Sequence, residues 1–407
     1  MPSSAAPTTS QLRSQLRRKL RDHLAQVGFV RSIDGALLLP DTEKDCLRAM
    51  HSAQRASVLN RHRSFIRDKW LSLRKNFADG AEVMPSEIWP RLELVESNSW
   101  QSDLFRIASL TWSMPVSQGY GRRMRFLVWD DRNDKLIGLF ALGDPVFNLS
   151  ARDQWIGWDV RTRRNRLVNV MDAYVLGAVP PYSFILAGKL VASVVRSSDV
   201  REAFAAKYSK EAGLISGRRK KPVLAMVTTT SAFGRSSLYN RLRIDGHDVF
   251  RPLGYTQGFG HFHIPDEVFA LMRRYLRLKR HPYAKGFRFG EGPNWRMRAA
   301  RKSLELLGLN PHLLRHGIKR QVFASILATN ARAYLNGDER QPVFDDLVSV
   351  ADMGLLARER WVVPRALRDD VYNGWAKDDM LRFLKPESPA LAPTQSRASP
   401  TGTHGPG

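Results

Sequence analysis

The chain has 407 residues, of which 43% are hydrophobic, which is enough for two or three domains with packed cores and excludes wholesale disorder. Lysine and arginine number 64 against 39 aspartates and glutamates, so the net charge of +25 indicates a polyanionic partner, first of all nucleic acid. The single cysteine, Cys46, excludes an internal disulfide and a cysteine-type zinc site. With no secretory signal and no apolar run long enough for a membrane span, we expect a cytoplasmic protein.

Residues 1–84 are predicted to form a basic helical N-terminal region. Leucine recurs at every fourth position of its first helix, and arginines and lysines occupy most of the remaining positions. A longer helix is expected from about residue 41 to residue 77. In both helices the charged face has two interpretations, a solvated surface or an arm that contacts nucleic acid.

Residues 85–265 are predicted to form the central domain, because short β-type and helical segments follow one another there. Residues 266–385 are predicted to form a helical C-terminal region, and residues 386–407, rich in Pro, Ser, Thr and Gly, a disordered tail. In the central domain we expect strands near residues 124–129, 135–142, 172–179, 223–229 and 250–264, and helices near 103–112, 161–170, 186–208 and 236–242.

Two basic segments are candidates for nucleic-acid binding. Guanidinium groups pair with phosphates, and indole rings stack on bases, so the mixture in the first segment suits single-stranded nucleic acid. The alternative is a buried tryptophan pair surrounded by a basic rim. The candidate residues are Arg152, Trp155, Trp158, Arg161, Arg163, Arg164 and Arg166 in the first segment, and Arg218, Arg219, Lys220 and Lys221 in the second.

One histidine pair offers an enzymatic alternative. In His261-Phe262-His263 the two imidazoles would share one face of a strand, as in the metal-holding element of HUH nickases. Tyr275 follows twelve residues after His263, in a predicted helix, and would be the nucleophile of a metal-dependent attack on a phosphodiester. The structural alternative is a pair of strand-end histidines. No metal site or cofactor is assigned.

Three stretches of the central domain resemble a known family. They are Ser150–Trp158 with Arg163-Arg164-Asn165, then Tyr239-Asn240-Arg241-Leu242, then Gly254–Gly260. Over residues 126–263 the sequence resembles the DruA domain of Druantia anti-phage defence systems. The resemblance implies a role in a multi-component defence system, with other proteins of that system as partners. A protein-interaction scaffold within that complex is therefore a further alternative to nucleic-acid binding.

The order of elements is also similar to that of acetyltransferases of the GNAT type. It implies an α+β fold, a GNAT-like mixed sheet with helices, flanked by N-terminal and C-terminal helical segments. In that fold a glycine-rich turn binds the coenzyme A pyrophosphate through backbone N–H groups. The matching segment here contains Pro180 and Pro181, which lack N–H groups, so the resemblance extends to the fold and not to the cofactor.

Overall fold

The computed structural model describes residues 8–26, 29–31, 33, 37–38, 44–114, 116, 121–208, 222–232, 236–244, 246–260, 263–285 and 293–386. Its helices are α1 (Thr9–Gln26), α2 (Lys44–Arg61), α3 (Arg63–Leu73), α4 (Trp100–Leu110), α5 (Ser150–Ile156), α6 (Val160–Arg166), α7 (Ala187–Val194), α8 (Ser198–Tyr208), α9 (Ser237–Asn240), α10 (Asp266–Leu278), α11 (Pro293–Leu306), α12 (Ala331–Asn336), α13 (Val350–Ala357), α14 (Val363–Ala366) and α15 (Met380–Phe383). Its strands are β1 (Val30–Arg31), β2 (Leu37–Leu38), β3 (Pro90–Leu94), β4 (Arg123–Asp130), β5 (Lys135–Gly143), β6 (Val170–Ala178), β7 (Met226–Thr230), β8 (Arg243–Ile244), β9 (His247–Asp248), β10 (Arg251–Tyr255) and β11 (Gln321–Ile326).

A seven-stranded sheet organises the protein, in the order β10-β11-β7-β6-β5-β4-β3. All neighbouring strands in it are antiparallel except β6 and β7, which run parallel. The parallel pairing joins Val170–Asp172 to Met226–Thr228 and ends there. Beyond that point β6 continues along β5, whereas β7 continues along β11. At the centre of the sheet, β6 and β7 therefore diverge after Asp172 and Thr228.

Helices cover both faces of the sheet. Successive side chains of a strand are buried in turn on one face and on the other, so that each face has a hydrophobic core. Met226 packs with Trp158 in the core beneath α5, α6 and α12. Its neighbour Val227 packs with Phe323 and the apolar side of α7 in the core on the opposite face. Since successive side chains of a strand point to opposite faces, α6 and α7 lie on opposite sides of the sheet.

A separate hydrophobic cluster joins the N-terminal helix α1 to residues 264–318. The four leucines of α1 pack against α10, α11 and the 3-10 helix Pro311–Leu314. The periodicity that predicted α1 is thus confirmed as a packing face, and its arginines lie on the outside. These basic helices are held by apolar burial, which leaves their charges available to solvent.

The α+β class is confirmed, and the structure differs from the predicted elements at several places. The helix expected over residues 186–208 is divided into α7 and α8, and β3 was not predicted. The helix expected over residues 41–77 is divided into α2 and α3 at His62. The region expected to be helical after residue 265 contributes β11, which lies between β10 and β7 in the main sheet. The last strand of the central region ends at Tyr255, so His263 lies in a turn and not on a strand.

No helix among the described residues is long and apolar enough to span a membrane. Apart from Pro386, the predicted tail, residues 386–407, lies outside the described residues.

Candidate nucleic-acid interface and a carboxylate at the strand divergence

The turn between α5 and α6 sets the position of the first basic segment. Gly157 ends α5 with φ of 88°, in the left-handed region that glycine adopts readily. Asp159 then caps α6, since its side chain accepts a 2.6 Å hydrogen bond from the backbone N–H of Thr162. The local sequence therefore builds a short helix in which four of the seven residues are arginines and none is acidic.

Arg152 lies beneath this helix and not on it. Its side chain is fully buried, and its guanidinium donates two hydrogen bonds to Asp153 Oδ1, at 2.9 and 2.7 Å. Two further donations reach the carbonyl oxygens of Val146 and Phe147, at 2.9 and 3.0 Å. Arg163 of α6 binds the other oxygen of Asp153 at 2.7 Å. Arg152 therefore anchors α6 through Asp153 and has no surface with which to touch a phosphate.

The two tryptophans of the segment also face inward. Trp158 is buried, and its indole Nε1–H donates to the carbonyl oxygen of Leu335 at 2.7 Å. The Arg152 guanidinium lies 5.3 Å from the centroid of the Trp158 ring. Trp155 is half-buried and packs against the same core. This arrangement matches the alternative of a buried tryptophan pair with a basic rim.

The basic rim consists of α6 arginines of two kinds. Arg163 and Arg166 lie over the rings of Phe147 and Tyr334, at 4.4 and 4.8 Å from the ring centroids, so their planes are fixed. Arg161 and Arg164 are exposed, and neither forms a salt bridge with another described residue. The exposed pair therefore presents guanidinium groups without a salt bridge among the described residues, next to two that are held in place. The carboxylate of Asp159 acts on Arg161 through its charge.

The other predicted site residues have different surroundings. Arg218, Arg219, Lys220, Lys221 and His261 lie outside the described residues. His263 is buried, and its Nε2 lies 2.8 Å from the carbonyl oxygen of Leu313.

Tyr275 is 2% exposed, and its hydroxyl donates to the carbonyl oxygen of Leu306 at 3.2 Å. The proposed nickase nucleophile is therefore part of the core formed with α1 and α11, away from solvent. Within the described part of the chain, no group of three or more His, Cys, Asp or Glu side chains could hold a metal ion.

Sequence reasoning missed Asp172, which lies where the pairing of β6 and β7 ends. Its Oδ1 accepts a 2.8 Å hydrogen bond from the hydroxyl of Thr228 on the neighbouring strand. Burial raises the pKa of Asp172 to about 6, although Thr228 and Arg152 act in the other direction. The residue as a whole is half-buried. A carboxyl with a pKa near 6 exchanges its proton near neutral pH, which is typical of acid–base groups.

A tyrosine adjoins this carboxyl. Burial, followed by the negative charge of Asp172, raises the pKa of Tyr239 to about 12, while a hydrogen bond with Thr229 opposes the shift. Tyr239 belongs to one of the three stretches that resemble the DruA domain, whereas Asp172 belongs to none of them. The signal that could have found Asp172 is its position as the acidic residue of an otherwise apolar strand, Val-Met-Asp-Ala-Tyr-Val-Leu-Gly-Ala.

We expect the substitution Asp172→Asn to raise the free energy of unfolding at pH 7.5 by roughly 1–2 kcal/mol. The folded pKa is above the ordinary value, so the folded state loses stability as pH rises through about 6 and the carboxylate forms. Asparagine stays neutral and can still accept from Thr228. Urea unfolding at pH 7.5 and pH 5 checks this, since the difference should shrink at pH 5.

Asp159→Asn is the matched control, because asparagine caps helices as well as aspartate does. A D172N protein that is less stable than the wild type at pH 7.5 would contradict the claim that the ionised Asp172 destabilises the folded state.

Comparison with known proteins gives one consistent result. The family model described as "Druantia protein DruA" matches residues 41–337. The chain is 49% identical to a protein named Druantia protein DruA from Escherichia coli (strain UMEA 4076-1) over 385 aligned residues. The alignment covers 95% of each of the two chains. No solved structure matches the chain.

Proposed function

Because the chain belongs to the Druantia DruA family, we propose that it is a cytoplasmic component of a Druantia-type anti-phage defence system and that it binds nucleic acid through α6. Other proteins of the same system would be its partners. The nucleic acid would be that of the phage or of the host.

The proposal of nucleic-acid binding rests on one observation, which is the set of arginines on α6. The helix has no acidic residue, and its exposed Arg161 and Arg164 have no salt bridge within the described part of the chain. The neighbouring Arg163 is fixed by Asp153, which is fixed in turn by buried Arg152. Phosphate groups are the ligands that such a preorganised set of guanidinium groups fits, since guanidinium binds phosphate in a bidentate manner.

The physical basis of this binding would be release of counterions and not recognition of bases. Each phosphate neutralised by an arginine releases condensed cations from the nucleic acid, so affinity falls with salt concentration. The indoles of Trp155 and Trp158 contribute by holding α5 and α6 on the sheet. We therefore propose binding with little base preference, in which phosphate contacts position the nucleic acid.

The nickase alternative receives no support from the described residues, because the hydroxyl of Tyr275 is bonded inside a core. The scaffold alternative makes a different prediction. A complex with another protein of the system that forms equally well after nuclease treatment would favour the scaffold.

The test of the proposal compares the double variant Arg161→Gln/Arg164→Gln with wild type for binding to single-stranded DNA, duplex DNA and RNA. Fluorescence anisotropy at constant low salt should show affinity reduced about tenfold or more, because two phosphate contacts are lost. Arg67→Gln/Arg382→Gln is the matched control, since it removes the same charge from exposed arginines of other elements. Equal loss in both double variants would show that only net charge matters and would contradict a role for α6.

A further inference from the structure

The stretch Gly254–Gly260, which is one of the three that resemble the DruA domain, prolongs the outer edge of the main sheet. Beyond the paired ends of β10 and β11, the chain continues beside residues 314–320. The N–H of Thr256 donates to the carbonyl oxygen of Arg320 at 2.9 Å, and the N–H of Arg320 donates to the Thr256 hydroxyl at 3.0 Å. We call residues 255–260 and 314–320 together the edge ribbon.

Phe259 and Arg315 face each other across the edge ribbon. They form an isolated antiparallel bridge. The two backbone hydrogen bonds that flank the bridge join the chain neighbours of these residues, and each is 2.9 Å long. This pattern is that of a non-hydrogen-bonded pair, in which the two Cα atoms are about 4.5 Å apart and the side chains lie close together on one face. The backbone therefore places an aromatic ring beside a guanidinium group.

The backbone that carries this pair is held on both sides. Gly258 has φ of 64°, and a Cβ added there would lie 2.8 Å from the carbonyl carbon of Gly317, so only glycine fits. Its carbonyl oxygen accepts from the N–H groups of His316 and Gly317, at 2.9 and 3.1 Å. On the other side, Gln257 Nε2 donates at 3.2 Å to the hydroxyl of Ser150, the first residue of α5. The pair is therefore fixed next to the helix that leads into α6.

The two side chains of the pair are open to solvent. Phe259 is 49% exposed, and Arg315 is exposed as well. Among the described residues, no other ring packs on Phe259 and no acidic side chain forms a salt bridge with Arg315. A second aromatic side chain of the ribbon, Tyr255, is 45% exposed. The edge ribbon therefore presents the flat apolar face of a ring beside a positive charge.

We propose that Phe259 and Arg315 bind one nucleotide of a single-stranded nucleic acid, with the ring stacked on the base and the guanidinium on the adjoining phosphate. This inference rests on the proposed function and names its substrate class. In a duplex the neighbouring bases cover both faces of each base, whereas in a single strand a base can turn out and stack on an aromatic ring. Every base has a π-face, so stacking adds affinity with little base preference.

The experiment measures the affinity of the full chain for a single-stranded oligothymidine and for a duplex of equal length, by anisotropy at constant low salt. Phe259→Ala should weaken single-strand binding roughly tenfold or more and leave duplex binding unchanged, because one stacking contact is lost. Phe259→Trp should retain the affinity for the single strand. Phe259→Leu should not retain it, which separates stacking on a ring from a general apolar contact.

Arg315 is tested through the salt dependence of single-strand binding. Arg315→Gln should weaken this binding and make the slope of the log–log salt plot shallower by about 0.7, because one phosphate contact is lost. The matched control is Arg360→Gln, which removes the same charge from an exposed arginine of the π-helix Arg358–Val362. Its slope should equal that of wild type, and equal slopes for R315Q and wild type would contradict the phosphate contact.

Comparison with Arg161→Gln/Arg164→Gln separates this inference from the proposed function. If F259A binds the single strand as wild type does while R161Q/R164Q has lost affinity, the nucleotide site is overturned and binding through α6 stands. An equal loss of single-strand and duplex binding in F259A would also overturn the site. A loss in F259A for the single strand alone, with R161Q/R164Q unchanged, supports the site and contradicts α6. If wild type binds no nucleic acid, both are overturned.

Discussion

Replacing Arg152 by alanine is expected to lower the free energy of unfolding by about 3–5 kcal/mol. The substitution leaves Asp153 without its buried partner and leaves the carbonyl oxygens of Val146 and Phe147 without donors. It also empties the space beside the Trp158 ring. Arg152→Lys should recover only part of the loss, because a single ammonium cannot reproduce the fork that reaches three acceptors. Chemical denaturation monitored by circular dichroism measures both changes.

Arg161→Ala is the matched control for this prediction. Arg161 is an exposed arginine of the same basic segment, and its loss should change the free energy of unfolding by less than about 0.5 kcal/mol. The two substitutions thus compare a buried arginine that holds α6 in place with an exposed arginine of α6 itself. An R152A protein as stable as R161A would contradict the burial and bonding of Arg152.

Acidification from pH 6.5 to pH 5 is expected to lower the free energy of unfolding by about 3 kcal/mol through two buried histidines, against a smaller gain of roughly 1 kcal/mol from protonation of Asp172. Burial, with the nearby Arg320, lowers the pKa of His51 to about 4, and burial, His263 and Arg320 lower that of His316 to about 3. Unfolded histidine takes up its proton near pH 6.5, whereas these folded histidines stay neutral. Each therefore contributes a loss of roughly 1.5 kcal/mol over this interval.

His316→Asn should remove about half of this pH dependence. The Nδ1 atom of His316 lies 3.2 Å from the backbone N–H of Ile318, and an asparagine carbonyl can accept that hydrogen bond without titrating. Urea unfolding at half-unit steps of pH gives the slope. The same change at exposed His247 is the control for the substitution itself. If the free energy of unfolding of H316N depends on pH as steeply as that of wild type, the lowered pKa of His316 is contradicted.

Much of the fold could be predicted because its signals are local. The hairpin β4–β5 follows from two apolar runs around the polar turn Asp130–Asp134, and α1 follows from its leucine period. The pairing of β11 between β10 and β7 could not be predicted, since it joins segments far apart in the chain. The division between α2 and α3 at His62 also lacks a proline or glycine signal.

The candidate site could be predicted only as a segment. Composition placed arginines and tryptophans together, but periodicity over so short a stretch could not separate buried Arg152 from exposed Arg161. Asp172 depends on tertiary proximity, because Thr228 approaches it from a distant part of the chain. Family resemblance identified Tyr239 and Arg241 as part of a motif without assigning either a contact.

The most direct test of the central claim is the dependence of nucleic-acid binding on salt, measured by anisotropy between 50 and 200 mM. Wild type should bind with an affinity that falls steeply on a log–log plot. Loss of two phosphate contacts in Arg161→Gln/Arg164→Gln should make the slope shallower by about 1.8 for duplex DNA or about 1.4 for a single strand. Saturable binding that ignores salt, or identical slopes for wild type and this variant, would contradict phosphate binding by α6.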